Sequence, residues 1–434
     1  MRLDMGLAVR AGTIVGALVI AAAGLAGAGP PATPEASPAP QAEPTPAPTP
    51  SPDTIAEPTV DIFDVLRQIL HKPPKADTGT DSKKLMMAAA PVISYNPASG
   101  FGIGAAGNVA FFRGFPETTS ISSVVASLIV TSKKQLLLNA KFDVSAANNK
   151  WVLRGDDRLY LTSQDTYGLG TSTTSDEAVN TKYDYVRVYE TAYRRVHRGV
   201  YLGAGFLYNL HADVRPGEGA EDAWPGSPYV TYSQEHGFDT SSQTSAGASV
   251  NLLLDGRDGA INPSRGFYAN LDYQMFFAGF LGGTSTWQQF NCDLRAYVRL
   301  SRDARHRLAF WLYGYLVTGG DAPYFDLPTT SMDTYGRSGR GYVQGRFRGQ
   351  RLAYGEVEYR GTLTRSGLLG MVAFLNTQTF SDKQSGERLF DSFATGGGVG
   401  LRVMMNKRSK TNLAFDVGWS PEGANVYFAV QEAF

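Results

Sequence analysis

The feature that most constrains this chain is a two-residue periodicity that recurs from Leu85 to Phe434. Phe267, Ala269, Leu271, Tyr273 and Met275 alternate with Tyr268, Asn270, Asp272 and Gln274. Phe290, Cys292, Leu294, Ala296, Val298 and Leu300 alternate with Asn291, Asp293, Arg295, Tyr297 and Arg299. Leu136, Leu138, Ala140, Phe142 and Val144 alternate with Asn139, Lys141 and Asp143, and Leu413, Phe415, Val417 and Trp419 with Asn412, Asp416 and Gly418. Successive side chains leave a strand on opposite sides, so each segment is a strand with one apolar and one polar face.

Two architectures use such strands. In a soluble sandwich the apolar faces pack together and the polar faces meet bulk water. In a membrane barrel the apolar face meets lipid and the polar face lines a lumen. The segments run to about ten residues, enough to cross a bilayer at a tilt. Aromatic residues stand near segment ends, at Trp151, Tyr160, Trp287, Tyr297, Trp419 and Tyr427, as interfacial girdles require. The sequence also stops on a strand, VYFAVQEAF. These points select the barrel.

The count is about sixteen strands, an even number as bacterial barrels have. Their cores are placed at 86–95, 100–112, 120–131, 135–144, 150–162, 183–194, 200–210, 244–254, 265–276, 286–300, 307–318, 352–363, 367–377, 396–405, 411–419 and 425–434. An even count puts both barrel ends in the periplasm. Connections after even strands are then short turns such as GFPET and SRDARH. Long connections follow the fifth, seventh and eleventh strands, at 163–182, 211–243 and 319–351, and are expected outside. This short and long asymmetry is a property of membrane barrels. The 48 Gly, 22 Tyr and 23 Phe suit turns and pleated surfaces. A formal net charge of +0 gives no electrostatic basis for a nucleic-acid partner.

Before the strands the composition changes. Residues 1–28 read as a secretory signal, with Arg2 and Arg10, an apolar run from Ala11 to Leu25, and Ala26-Gly27-Ala28 as the cleavage site. Residues 29–58 are Pro-rich and predict an extended periplasmic tether. Residues 59–72 predict a short amphipathic helix, capped by Thr59, with Ile62, Phe63, Leu66, Ile69 and Leu70 on one face. An apolar face must be buried, so this helix lies on the membrane interface or barrel rim, or else plugs the lumen. A polar linker fills 73–84, and the barrel domain spans 85–434. The expected architecture is all-β: a sixteen-stranded antiparallel transmembrane β-barrel preceded by a signal peptide, a Pro-rich tether and one short amphipathic helix.

Two stretches carry candidate sites. Asp255, Arg257 and Asp258, followed by Pro263 and Gly266, form a turn whose acids cap turn N–H groups or pair with Arg257 or Arg265. The second stretch, RSGRGYVQGRFRGQRLAYGEVEYR at 337–360, starts as a Gly/Arg-rich loop and ends as a strand. Glu356, Glu358 and Arg360 share one face of that strand. Charges at mid-membrane depth point to the lumen. Arg340, Arg346 and Arg348 are therefore candidate partners for Glu356, Glu358 or Asp416 if the loop folds inward.

Taken together, these residues resemble the BamA/TamA-type outer-membrane proteins, the bacterial surface antigen barrels of the outer-membrane assembly and translocation superfamily. The matching pieces are PVISYNPASGFGIGAAGNVAFFRG, D-x-R-D through N-P-S-R-G-F at Asp255 to Phe267, and R-G-Y at Arg340 to Tyr342. E-x-E-Y-R at Glu356 to Arg360, G-x-G-L-R at Gly398 to Arg402, and the aromatic-ended last strand match too. The resemblance implies that the loop bearing Arg340, Gly341 and Tyr342 enters the lumen and that Arg340 contacts acids on the following strands. The family's F-x-D-x-G strand corresponds here to FLNTQ, with Asn376 in the acidic position, which moves the expected partner to Glu356 or Glu358. It also implies a last strand with Phe428, Val430 and Phe434 on its apolar face; Glu432 would sit at the periplasmic rim. The family's best-known members carry periplasmic POTRA domains, for which the residues preceding this barrel leave too little room.

The function implied is insertion or transport of protein or lipid at the outer membrane; the alternative is a passive pore or structural surface antigen. Expected partners are outer-membrane lipid, the barrel assembly machinery for the chain's own insertion, and an unspecified protein or lipid substrate. No cofactor, metal or catalytic group is expected. His211 and His236, with Asp213 and Asp239, share one long connection and read as solvated loop residues, and Cys292 reads as a small lipid-facing apolar residue.

Overall fold

A computed structural model describes residues 59–71, 85–96, 100–115, 118–146, 148–407 and 409–434. The expected signal sequence, Pro-rich tether and polar linker lie outside these residues. One antiparallel sheet holds sixteen strands in sequence order. They are β1 (Met86–Asn96), β2 (Gly100–Phe111), β3 (Ser122–Thr131), β4 (Leu136–Ala146), β5 (Trp151–Thr166), β6 (Val179–His197), β7 (Val200–Pro216) and β8 (Gln243–Asp255). Then come β9 (Gly266–Phe276), β10 (Trp287–Arg299), β11 (His306–Gly320), β12 (Arg351–Thr362), β13 (Leu369–Ser381), β14 (Ala394–Asn406), β15 (Thr411–Ser420) and β16 (Gly423–Val430).

The sheet curls until β1 and β16 approach within 8 Å at Cα. Among the described residues these two strands share no hydrogen-bonded ladder. Register follows the alternation. Asp272 stands opposite Asn251 and Asn291, and Glu356 opposite Trp311 and Asn376, so polar side chains gather on the inner face. Phe206, Val250, Leu294, Leu312, Leu375, Leu401 and Phe415 are exposed on the outer face. Cys292 is there too, opposite Leu271 and Gly314. A wide apolar exterior is what lipid requires and water forbids.

The structure lengthens three strands. β5, β6 and β7 have 16, 19 and 17 residues, so much of the expected 163–182 connection and the start of 211–243 are strand. Their extra turns stand beyond the apolar band, where both faces are polar or aromatic and alternation fades. His211 therefore sits within β7, not in a loop. The girdle expectation also needs correction. Trp151 and Trp419 are exposed, but Tyr160, Trp287, Tyr297 and Tyr427 belong to the inner face. Trp287 stacks on Phe276 at 4.2 Å between ring centroids. Aromatic residues near strand ends serve both faces, and only parity separates them.

The short helix α1 (Ile62–Ile69) stands at the short-turn rim. Its cap is Asp61 rather than Thr59: the Asp64 amide donates to Asp61 at 3.0 Å, and the Asp61 amide to Asp64 at 3.2 Å. A carboxylate at the positive helix end outcompetes a residue two positions earlier. The Val60 amide donates to Ser366 O at 3.1 Å, and Lys407 Nζ reaches Asp64 at 2.9 Å. The helix is thus pinned to the β12–β13 and β14–β15 turns. No residue of it is buried, and Phe63, Leu66 and Ile69 are exposed, so it does not plug the lumen.

At the opposite rim a second helix, α2 (Pro228–Glu235), packs into an aromatic cluster with Tyr183, Tyr185, Phe276, Trp287, Tyr324 and Phe325. His211 stacks on Tyr185 at 4.7 Å and is buried, so it is not a solvated loop residue, whereas His236, half-buried, stays in the long connection and stacks on Tyr232 at 4.1 Å.

Candidate functional site

The long connection between β11 and β12 runs into the lumen. Positive φ at Gly336 (64°), Gly339 (77°), Gly341 (114°) and Gly345 (81°) folds it back on itself, a conformation open to Gly and costly for other residues. Its tip delivers Arg340 to the wall. The guanidinium Nη1 meets Asp416 at 2.8 Å, and Nη2 contacts both Glu356 and Glu358. Its carbon lies 3.6 Å from the Phe374 ring centroid. All four charged side chains are essentially excluded from solvent.

The acids are themselves held. Arg360 donates to Glu358 at 2.7 Å, Arg402 to Asp416, and the Tyr354 hydroxyl to Glu356. A buried charge is tolerated only when paired and hydrogen-bonded. Here three arginines, one tyrosine and four carboxylates, including Glu432, pair with one another across β12, β14, β15, the loop and the last residues of the chain. The choice between Glu356 and Glu358 resolves to both, with Asp416 added.

Asn376 has a different task from the acid it replaces. Its side-chain amide donates to the Arg340 carbonyl at 2.9 Å, fixing the backbone while the guanidinium turns to the acids. The Gly341 amide donates to the Tyr427 hydroxyl at 2.9 Å, and Asn425 donates to the Gly341 carbonyl at 2.8 Å. The Tyr342 hydroxyl donates to Thr395 O at 3.1 Å. The loop can come this close because the wall lacks side chains there. A Cβ on Gly396 would meet Arg340 O at 2.6 Å, one on Gly418 the Gly341 amide nitrogen at 2.8 Å, and one on Gly341 the Trp419 carbonyl at 2.7 Å. Sequence reasoning missed this notch, although TGGGVG and the lone Gly418 carried its signal.

Arg346 and Arg348 do not join the acids. Arg346 pairs with Glu422 at 2.6 Å and donates to Thr173 O at 2.7 Å. Arg348 donates to Tyr324 O at 2.8 Å and lies over that ring. Both anchor the loop to the long-loop rim, where Asp326 accepts from Asn209 (2.8 Å) and Ser245 (2.6 Å). On the short-turn side of the loop a polar cavity of ≈ 240 Å³ remains, lined by Arg154, Asp156, Arg187, Asp293 and Arg295 among others.

The turn motif is a separate structure at the short-turn rim. Arg257 pairs with Asp255 at 2.7 Å and covers Tyr268. Asp258 accepts from the Ser264 amide (2.8 Å) and the Arg265 amide (3.2 Å), and pairs with Arg299 at 2.9 Å rather than with the Arg265 side chain. Burial opposes ionisation of Asp258, but the Ser264 hydroxyl and amide, the Arg265 amide and Arg299 outweigh it and hold its carboxyl at about 2. Pro263 is buried, and Gly266 has φ +106° with Gly256 O at 2.3 Å from a Cβ position.

The end of the chain departs from expectation. β16 stops at Val430, with Phe428 outward against Phe415 at 4.9 Å. Gln431 takes φ 90°, and the last residues turn into the lumen. Glu432 pairs with Arg402 at 2.6 Å and accepts from Asn412 at 2.7 Å. Phe434 stacks on Trp311 at 5.1 Å, and its main-chain oxygen accepts from Arg360 at 2.9 Å. A straight strand would have placed Glu432 and Phe434 on the outer face with Phe428 and Val430. The acid finds its partners only inside, and the bend carries Phe434 with it.

A model of the Omp85 superfamily domain matches residues 138–424. Among solved structures, BamA from Haemophilus ducreyi lacking POTRA domains 1-3 is similar, with 13% identity and a TM-score of 0.50 over 80% of this chain and 69% of that one. CdiB from Escherichia coli has 9% identity and a TM-score of 0.51, over 80% and 62% of the two chains. CdiB from Acinetobacter baumannii has 10% identity and a TM-score of 0.50, over 80% and 59%. The chain thus spans less than two thirds of either CdiB structure, and at these identities the likeness concerns the fold. No curated protein matches the sequence significantly.

Proposed function

The chain belongs to the Omp85 superfamily of outer-membrane β-barrels, and on that premise we propose that it aids insertion or translocation of protein or lipid at the outer membrane, with its short-turn rim and α1 facing the periplasm. The observation that carries this reading is the combination of an obstructed lumen with an unpaired seam. A passive pore needs a clear path, whereas here the Arg340 loop crosses the lumen and is fixed to β12, β13, β14, β15 and β16 of the wall. β1 and β16 meanwhile run side by side without a ladder among the described residues. Unpaired strand edges are templates for an incoming strand. The chain's own insertion is assigned to the barrel assembly machinery, and its lateral surroundings are outer-membrane lipid.

Planar-bilayer conductance and a reconstitution assay test the proposal together. The unmodified protein is expected to conduct little, and Arg340→Ala more, because three buried carboxylates then repel one another and release the loop. Removing one partner of such a network costs about 3–5 kcal/mol, so the urea midpoint of Arg340→Ala falls as well. Arg340→Lys keeps the charge and tests the loop without emptying the site. In vesicles, the unmodified protein is expected to accelerate membrane insertion of a urea-unfolded eight-stranded barrel over protein-free vesicles. Large steady conductance without any acceleration would establish the passive pore instead.

A further inference from the structure

The outer face of the barrel carries two acids where lipid is expected. Arg154, Asp156 and Arg158 of β5 point into the lumen, where Asp156 pairs with Arg158 at 2.6 Å. Asp157 therefore points outward, in a row with Ala140, Val188 and Tyr208 on the neighbouring strands. On β6, Tyr189 and Thr191 face inward and Glu190 outward, opposite Gly155 and Phe206. The two carboxyls are diagonal neighbours on adjacent strands. Among the described strand residues, every other carboxylate or cationic side chain well away from the rims points into the lumen.

Depth follows from the strand. Trp151 is exposed at the short-turn rim. A tilted strand rises roughly 2.3 Å per residue along the barrel axis, so Gly155 with Glu190 lies about 9 Å, and Asp157 about 14 Å, into an apolar band about 25 Å tall. Neither acid is fully satisfied: Asp157 is buried and Glu190 half-buried. Asp157 is 2% exposed, and its Oδ1 has no hydrogen-bond partner; Glu190 Oε1 has none either. The Phe142 ring lies across Gly155, whose Cβ position is 2.2 Å from the ring edge, so the recess is walled by an aromatic group. Phe206 and Tyr208 flank it on β7.

We propose that the outer face of β4–β7 is a lateral docking surface for a membrane-spanning partner that presents a Lys or Arg side chain at mid-bilayer depth. Two carboxyls with aromatic rings around them form a cation-recognising constellation. In hydrocarbon an unpaired acid is costly, and it is retained where it meets a partner. A second copy of this chain does not fit, because among the described residues the bases of its own outer face, such as Lys182, Arg194, Arg215 and Arg351, stand near the rims. Lipid headgroup amines lie at the interface, not at this depth.

Energy transfer in phosphatidylcholine vesicles tests this. The full chain, with Cys292→Ala and a dye on Lys150→Cys beside the patch, is mixed with a synthetic single-span helix carrying either Lys or Leu at its centre. The Lys helix is expected to associate about tenfold more strongly, the scale of one charge-assisted hydrogen bond. Asp157→Asn with Glu190→Gln is expected to bring it down to the Leu level. Equal association of the two helices, or a Lys preference that survives the double substitution, overturns the proposal. The comparison of helices is made on protein with both acids intact, so it stands even if the double variant folds poorly.

Discussion

At the scale of single residues, the site turns on how Arg340 is shared. Its guanidinium serves the acids of β12 and β15, while its carbonyl is held by Asn376 of β13. An Asn donates through its amide, which an Asp cannot do. Asn376→Asp would set a carboxylate against the Arg340 carbonyl and beside a cluster already rich in acid. The expected cost is about 1–3 kcal/mol, read from urea unfolding in vesicles, even though the family pattern has an acid at that position. Gain of stability on that substitution would show that the Asn376 contact does not fix the loop. The sequence made Arg340, Glu356 and Glu358 visible because charged residues on one face of a transmembrane strand have only the lumen to occupy. It could not rank the acids, since their meeting point is set by three strands and a loop converging in space.

At the scale of elements, the turn and the last strand show what local chemistry decides. The β8–β9 turn is ordered by Asp258, whose ionised form is favoured by Ser264, Arg265 and Arg299. Its folded pKa of about 2 lies below the unfolded carboxylate value. Its contribution is therefore fully present above about pH 4 and is lost as pH falls towards 2. Amide exchange of the 256–266 segment is expected to quicken over that window and to become insensitive to it in Asp258→Asn. An unchanged pH profile in that variant would assign the transition to another group. Residue chemistry gave this turn away in the sequence, since Gly, Pro and Asp at those spacings have few other uses. The inward bend after Val430 was not visible. It depends on Arg402, Asn412 and Trp311, which stand on three other strands.

At the scale of the molecule, the barrel has one rim of short turns with α1 attached and one closed by long connections. The proposed orientation predicts that a membrane-impermeant maleimide labels Glu218→Cys on intact cells, in a Cys292→Ala background. Arg302→Cys is expected to react only after the outer membrane is permeabilised. Both positions are exposed, so accessibility reports the side of the membrane. Labelling of Arg302→Cys on intact cells would invert the barrel.

The sequence by itself determined the strands, their number and their inner and outer faces, because alternation is a local property that lipid and water enforce at every position. It also offered Arg340, Arg346 and Arg348 as partners for lumen acids, with the family resemblance pointing to Arg340. Only the tertiary structure decided which acids, how the glycine notch admits the loop, where Phe434 turns, and that Asp157 and Glu190 point out of the lipid-facing wall. Those outcomes depend on residues far apart in the chain, and on parity kept through strands where a polar residue sits on the apolar side. Periodicity averages over such exceptions, whereas register places each one.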